Sequence, residues 1–278
     1  MEQHEPTHPW RIYTDLDGSL LDHHTYDWLP AKPWLDRLTA QGIPLIPNTS
    51  KTAAEVAVWL TELKVDGYAV VENGGMVLLP NTHVYWHTHL PHWTGREVSG
   101  VLLGRSYDAL CAWLDDVRRG HGFDFRGFHD VDPGTIVQWT SLSPDEAVRA
   151  QQRQSSEPLL WEGSRSSLQQ FITLAQAADL QVQQGGRFLH ISDHTTKATG
   201  MAWLEALWGT AARTLALGDG GNDIPMLEAA DRAVAICNAK GTHVNVQQPY
   251  VYFTQHAGPE GWSEGLSYWL SSEEQQHG

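Results

Sequence analysis

The sequence is short of the residues that several common partners would require. Lysine and arginine together number 18 against 33 aspartates and glutamates, so the formal net charge is −15. Such a balance argues against a nucleic-acid backbone or an anionic membrane as partner, since both need clustered positive charge. Only two cysteines occur, Cys111 and Cys237, without Cys-x-x-Cys spacing. They read as small buried hydrophobes in a reducing compartment, not as a disulfide or a zinc site. No apolar run approaches the ~20 residues of a membrane helix. The stretch from Met1 to Trp10, with Pro6 and Pro9, lacks the apolar segment of a signal peptide. These absences point to a cytoplasmic protein, and the acidity would also suit a salty cytoplasm. Oligomeric state leaves no mark on the sequence.

What is present is a folding composition: 41% hydrophobic and 18% charged residues. A length of 278 residues exceeds one compact domain and falls short of two, which predicts a core carrying a smaller insertion. Strand-like runs at Arg11 to Leu16, Ile43 to Pro47 and Tyr68 to Val71 alternate with helical spacing at Pro33 to Ala40 and Thr52 to Leu63. That rhythm predicts an α/β fold with a doubly wound, Rossmann-like parallel sheet. It breaks in the middle of the chain. There, helices are expected at Tyr107 to Arg119, Pro144 to Gln152 and Ser166 to Asp179, with strand-like pieces near Thr135 to Trp139, Pro158 to Trp161 and Arg187 to Ile191. The rhythm returns from Lys197 to Leu270. The expected organisation is a core of residues 1–83 and 193–278 with an inserted α+β cap over 84–192.

Four pieces carry chemistry. Asp15-Leu16-Asp17-Gly18-Ser19 ends the first strand, at the edge where ligands bind in such sheets. Two carboxylates so close repel unless a cation or a proton lies between them. Asn48-Thr49-Ser50-Lys51 ends the second strand, where a hydroxyl before a helix N-terminus suits a phosphoryl oxygen. Lys197 opens a helix after the cap. Gly218-Asp219-Gly220-Gly221-Asn222-Asp223 follows an apolar strand; its last position lacks the Gly or Ala of a dinucleotide loop. Its glycines let backbone come close to a metal or phosphate, and an all-oxygen ligand set favours Mg²⁺. Each piece alone could be a solvated turn; their order at strand ends and a helix start places them in one crevice.

Together the four pieces resemble the motifs of the haloacid-dehalogenase superfamily of phosphatases, with the cap between the second and third as in its sugar-phosphatase branch. Glu72-Asn73-Gly74-Gly75 and Cys237-Asn238-Ala239 resemble that branch too. Thr49-Ser50-Lys51-Thr52, Glu157-Pro158 with Trp161, Gly186-Arg187-Phe188 and Gly258-Pro259-Glu260-Gly261-Trp262 are similar to mannosyl-3-phosphoglycerate phosphatases. Ser19 departs from the commoner Thr, and Ala198 from a common Gly. The resemblance implies that Asp15 is the nucleophile, forming an aspartyl-phosphate, and that Asp17 is the general acid and base. It implies Mg²⁺ held by Asp15, the Asp17 carbonyl and Asp219, with Asp223 at or just outside the metal's ligands. Thr49 and Lys197 would stabilise phosphoryl oxygens, with Ser50 and Asn222 alongside.

The implied substrate is a small anionic phosphorylated sugar, mannosyl-3-phosphoglycerate, whose hydrolysis gives mannosylglycerate and phosphate. Arg153, Glu157, Arg187 and His190 are the cap residues expected to read it, arginine suiting the glycerate carboxylate and Glu157 the sugar hydroxyls. Phosphatases for glucosyl-3-phosphoglycerate, sucrose phosphate or trehalose phosphate, a phosphosugar mutase, and a non-enzymatic binder are the alternatives. The histidines His83, His87, His89 and His92 have no cysteine or clustered acid beside them, so they are expected at the surface near the cap hinge.

Overall fold

The computed structural model describes residues 8–274 apart from 141, 186 and 210, so Gly186 of the Gly186-Arg187-Phe188 motif lies outside the described residues. β1 (Trp10–Thr14), α1 (Lys32–Gln41), β2 (Leu45–Pro47), α2 (Ala53–Leu63) and β3 (Ala69–Val71) follow in the expected alternation. Next come β4 (Met76–Pro80), β5 (Trp93–Thr94) and β6 (Val98–Leu102). The central part holds α3 (Tyr107–His121), β7 (Phe125–Gly127), α4 (Pro133–Thr140), α5 (Pro144–Ala150), β8 (Ser156–Trp161), α6 (Arg165–Ala177), β9 (Gln181–Gly185) and β10 (Phe188–Ser192). The chain then returns to the core with α7 (Lys197–Trp208), β11 (Arg213–Gly218), α8 (Ile224–Ala229), β12 (Arg232–Cys237), β13 (Val251–Ala257) and α9 (Gly258–Glu274).

Every residue of β1 is buried, as a strand must be when it is paired on both edges and covered on both faces. It lies inside a five-stranded sheet of order β13-β12-β11-β1-β2, parallel throughout. Strand alternation divides its side chains. Ile12 joins the apolar layer beneath α1, α2 and α9, while Tyr13 joins the layer beneath α7 and α8. The fully buried Arg11 is neutralised by Glu205 of α7 and stacks 4.7 Å from the Trp208 ring. Tyr13 donates to the same carboxylate at 2.6 Å. Since all five strands run one way, the turns after β1, β2, β11 and β12 emerge along a single edge.

Two helix starts matter for the site. Thr52 caps α2 in a capping box with Glu55, fixing the turn that follows β2. Thr196 precedes α7 in extended conformation, and the Asn48 side chain donates to the Lys197 carbonyl at 2.9 Å. That bond ties the first turn of α7 to the end of β2.

The structure departs from the sequence reading in several places. β3 meets β2 through one parallel bridge, Asn48 to Val70, and then pairs antiparallel with β4 in a sheet of order β3-β4-β6-β5. Residues 93–102, expected within the cap, join β4 in this sheet instead. Thr135 to Trp139 is helical, within α4, because Asp132 accepts from the Thr135 N–H and hydroxyl and starts a helix there. β9 was not expected; its glutamines obscure a strand that pairs with β10 in the antiparallel cap sheet β7-β8-β10-β9. Finally, His83 is buried against Tyr68 instead of lying at the surface. The cap sheet and its helices enclose apolar clusters of their own. Among the described residues, no helix is long and apolar enough to cross a membrane.

Candidate active site

The carboxyl edge of the parallel sheet gathers the chemical pieces. Asp15 directly follows β1, its N–H bonded to the Leu217 carbonyl of β11 at 2.9 Å. Lys197, wholly buried at the start of α7, donates to Asp15 Oδ1 at 2.6 Å and also pairs with Asp223 Oδ1. The second oxygen of Asp223 accepts from the Asp219 and Gly220 N–H groups at 2.9 and 2.8 Å. Both oxygens of Asp223 are thus held by protein donors. The residue organises the loop after β11, while Asp219 is left to face the cavity. Ser19, the commoner threonine's replacement, is buried and donates to Asp219 Oδ1 at 3.3 Å.

Two glycines permit these close approaches. At Gly18, with φ +81°, a Cβ would lie 2.7 Å from Asp219 Oδ2. At Gly74, with φ +93°, a Cβ would lie 1.8 Å from the Thr196 carbonyl oxygen. Only glycine lets the 72–75 turn lie against the start of α7. Beside it Asn73, itself at φ 54°, accepts from the Asn222 amide at 3.1 Å, joining the turn after β3 to the loop after β11.

The electrostatics follow from crowding. One oxygen from each of Asp15, Asp219 and Asp223 lies within 4.8 Å of the others. Burial first, then the charge of Asp223, pushes Asp15 well above the usual carboxylate range, with Lys197 opposing. Burial and Asp223 push Asp219 up to about 7. One lysine cannot neutralise three acids, and an oxygen-only set of this kind fits a divalent cation. Asp17 stands across the opening. Its Oδ2 pairs with Lys51 at 2.9 Å, and its Oδ1 is buried without a hydrogen bond.

A cavity of about 800 Å³ opens over this cluster, within the usual range for small-molecule sites. Of the residues expected in the site, Asp15, Asp17, Ser50, Lys197, Asp219, Asn222 and His190 line it. Thr49 is fully buried one residue behind Ser50, its hydroxyl accepting from the Lys51 N–H at 3.2 Å.

Three cap residues are placed otherwise than expected. Glu157 pairs across the cap sheet with the buried Ile191, whereas its neighbour Pro158 pairs with His190. Alternation therefore turns Glu157 away from the His190 face, into a network with Tyr107 at 2.8 Å and His129 at 2.9 Å. Arg153 is buried at the cap–core junction, donating to the Ser50 carbonyl at 3.2 Å and to Ser156 Oγ at 2.6 Å. Arg187 is exposed on the β9–β10 turn and donates to the Trp139 carbonyl at 2.5 Å.

The cavity face of the cap sheet carries the paired Gln183 and His190 instead, and Gln184 reaches the cavity from the neighbouring position on the edge strand. Burial, then the charge of Arg153, pushes the His190 imidazole down to about 4, so it is neutral near pH 7. Its Nδ1 is buried without a partner. The glutamines escaped the sequence reading because β9 did; recognising that strand would have put Gln183 opposite His190. Lys51 and Asn73 also lay within quoted motifs without an assigned part.

Residues 164–249, which span Lys197 and the Gly218–Asp223 loop, match the family model for haloacid dehalogenase-like hydrolases. Among solved structures, a phosphatase of that superfamily from Bacteroides thetaiotaomicron is 18% identical, covers 93% of this chain and 94% of its own, and superposes with a TM-score of 0.63. A subclass IIB sugar phosphatase of the same superfamily is 15% identical over 95% of this chain and 98% of its own, at 0.61. The sucrose-phosphatase from Synechocystis, solved with sucrose and phosphate, is 16% identical over 96% and 98%, at 0.58.

Proposed function

For a chain that shares the haloacid dehalogenase-like hydrolase fold and matches that family over residues 164–249, we propose phosphatase activity on a phosphorylated sugar, with mannosyl-3-phosphoglycerate as the substrate. One observation carries the chemistry: Asp15 and Asp17, two positions apart, face one cavity, Asp15 bound to a buried lysine and Asp17 with an unbonded oxygen. A pure binder has no use for the second acid.

Asp15 attacks phosphorus as the bond between phosphorus and the glycerate O3 breaks, and Asp17 gives that departing oxygen its proton. Water then attacks the aspartyl-phosphate, with Asp17 taking a proton from it, and phosphate leaves. Lys197 holds Asp15 in place for both steps and lowers the charge that the phosphate dianion meets. Ser50 and Asn222 supply polar groups on the cavity wall for the phosphoryl oxygens. Asp15, the Asp17 carbonyl and Asp219 would hold Mg²⁺, with Asp223 behind them. When bound, that ion offsets the repulsion between carboxylate and phosphate. Uncatalysed phosphomonoester hydrolysis is so slow that the site must remove on the order of 20 kcal/mol of barrier.

The subfamily reading is supported by motifs spread along both halves of the chain. The uncharged cap face of Gln183 and His190, with Gln184 at its edge, suits sugar hydroxyls. It also favours a second reading, a phosphatase for an uncharged sugar's phosphate such as sucrose phosphate. The test is phosphate release with Mg²⁺ from a panel of glycosyl-phosphoglycerates and sugar phosphates, ranked by kcat/KM. A glycosyl-phosphoglycerate at the head of the ranking is expected. Sucrose phosphate at its head would favour the second reading, and no release from any would overturn both.

A further inference from the structure

With Arg153 and Arg187 bound to protein carbonyls, a carboxylated substrate needs another cation. The cavity wall contains one outside the catalytic cluster. Lys240 lines the cavity from the loop after β12, beside Asn238 and Ala239. β12 is the parallel neighbour of β11, so this loop and the Asp219 loop leave the sheet along the same edge. Lys197, the other lysine lining the cavity, is spent between Asp15 and Asp223. Lys240 forms no ion pair with any of the described residues, and its side chain is exposed to the opening.

The loop that presents Lys240 is built and not slack. Asn238 Oδ1 accepts from the Lys240 N–H at 3.0 Å, the Thr242 N–H at 3.2 Å and the Thr242 hydroxyl at 3.1 Å. The Asn238 and Thr242 main chains are also bonded at 2.9 Å, and Gly241 takes φ +75° to close the turn. Cys237 anchors the base through its N–H to Thr254 Oγ1 at 3.0 Å. The backbone is therefore set before a ligand arrives, leaving only the lysine side chain to order.

We propose that Lys240 is the subsite for the carboxylate of an anionic leaving group, with Gln183, Gln184 and His190 of the cavity wall on the sugar. The inference rests on the substrate reading above and divides recognition between the two parts of the chain. Charge explains why one lysine suffices. Three aspartates and a net charge of −15 disfavour any second anion in this cavity unless a cation meets it there. A carboxylate-free sugar phosphate makes no such demand.

The experiment measures kcat/KM on the full chain for mannosyl-3-phosphoglycerate and for sucrose phosphate, in the native protein and in Lys240→Gln and Lys240→Arg. Lys240→Gln should shift the ratio of the two by about tenfold against the carboxylated substrate, chiefly through KM, and Lys240→Arg should recover most of it. The native preference should also weaken as salt is raised, because the lysine is exposed. A native preference for the carboxylated substrate that survives Lys240→Gln would overturn the role of Lys240 alone. A native protein that hydrolyses sucrose phosphate but not mannosyl-3-phosphoglycerate would overturn the substrate reading, and this inference with it.

Discussion

Lys51 Nζ lies 2.9 Å from Asp17 Oδ2 and 4.8 Å from the centre of the Tyr26 ring, so one ammonium fixes the orientation of the second carboxylate. The lysine is nearly buried and follows the hydroxyl pair Thr49-Ser50 by one residue. Replacing it with methionine keeps the volume and removes the charge. Lys51→Met should lower kcat by about tenfold with a smaller change in KM, since it disturbs proton delivery more than substrate binding. Equal changes in the two constants would assign Lys51 to binding instead.

Asp15→Asn should abolish turnover, a fall on the order of 10³-fold or more, because an amide cannot attack phosphorus. The same variant should be no less stable than the native protein without metal. Burial and the charge of Asp223 disfavour the Asp15 carboxylate, and its removal leaves Lys197 still paired with Asp223. Phosphate release and thermal unfolding check the two halves separately.

The Asp219 carboxyl, pushed up to about 7, makes stability and metal binding depend on pH in opposite directions. Without metal, the folded state holds this proton from about pH 4, where the unfolded aspartate loses it, up to about 7. Its contribution to stability therefore falls as pH rises through that window. A divalent cation must displace the same proton, so Mg²⁺ should bind more weakly as pH drops below 7. Thermal unfolding with and without Mg²⁺ from pH 5 to 8 should show a Mg²⁺-induced gain that grows with pH. A gain that is flat with pH would show that Asp219 does not exchange a proton for the metal.

Glu72 is wholly buried at φ 49° and accepts from the N–H groups of Gln154 and Ser155 at 2.7 and 3.0 Å, and from Ser156 Oγ at 2.7 Å. It joins the core turn to the cap, with Arg153 Nε 3.6 Å away. Glu72→Ala would strand these donors and should cost about 3 kcal/mol, which lowers Tm by roughly 6–12 °C. Glu72→Gln, which keeps one acceptor oxygen, should cost less. A Tm within 1 °C of native for the alanine variant would remove Glu72 from the junction.

The core was legible because its signals are local: an apolar strand followed by acid, glycine or hydroxyl reads the same in sequence and in space. Asp15, Asp17, Ser50, Lys197, Asp219 and Asn222 line the cavity for that reason. The cap was harder. Residue type alone made Glu157 and Arg153 plausible sugar and carboxylate readers, but the face each occupies depends on the register of β8 against β10 and on the cap–core junction. Neither is written in local spacing. The glutamines of β9 hid in the same way, since a polar run with adjacent glycines resembles a loop until a partner strand completes it.

β1 holds a further consequence, for the making of the protein. Its residues Trp10 to Thr14 pair with Arg213 to Leu217, some two hundred positions later in the chain. The Thr14 hydroxyl waits longer still, for the indole of Trp262 at 2.9 Å. During synthesis the reactive strand thus leaves the ribosome long before its central partner, while the cap, whose sheet pairs only within residues 125–192, can fold in the interval. The first segment must stay unaggregated until β11 arrives. Its apolar residues are the surface a chaperone would cover, so slow translation between the cap and β11 should lower the yield of soluble protein more than a pause after β11.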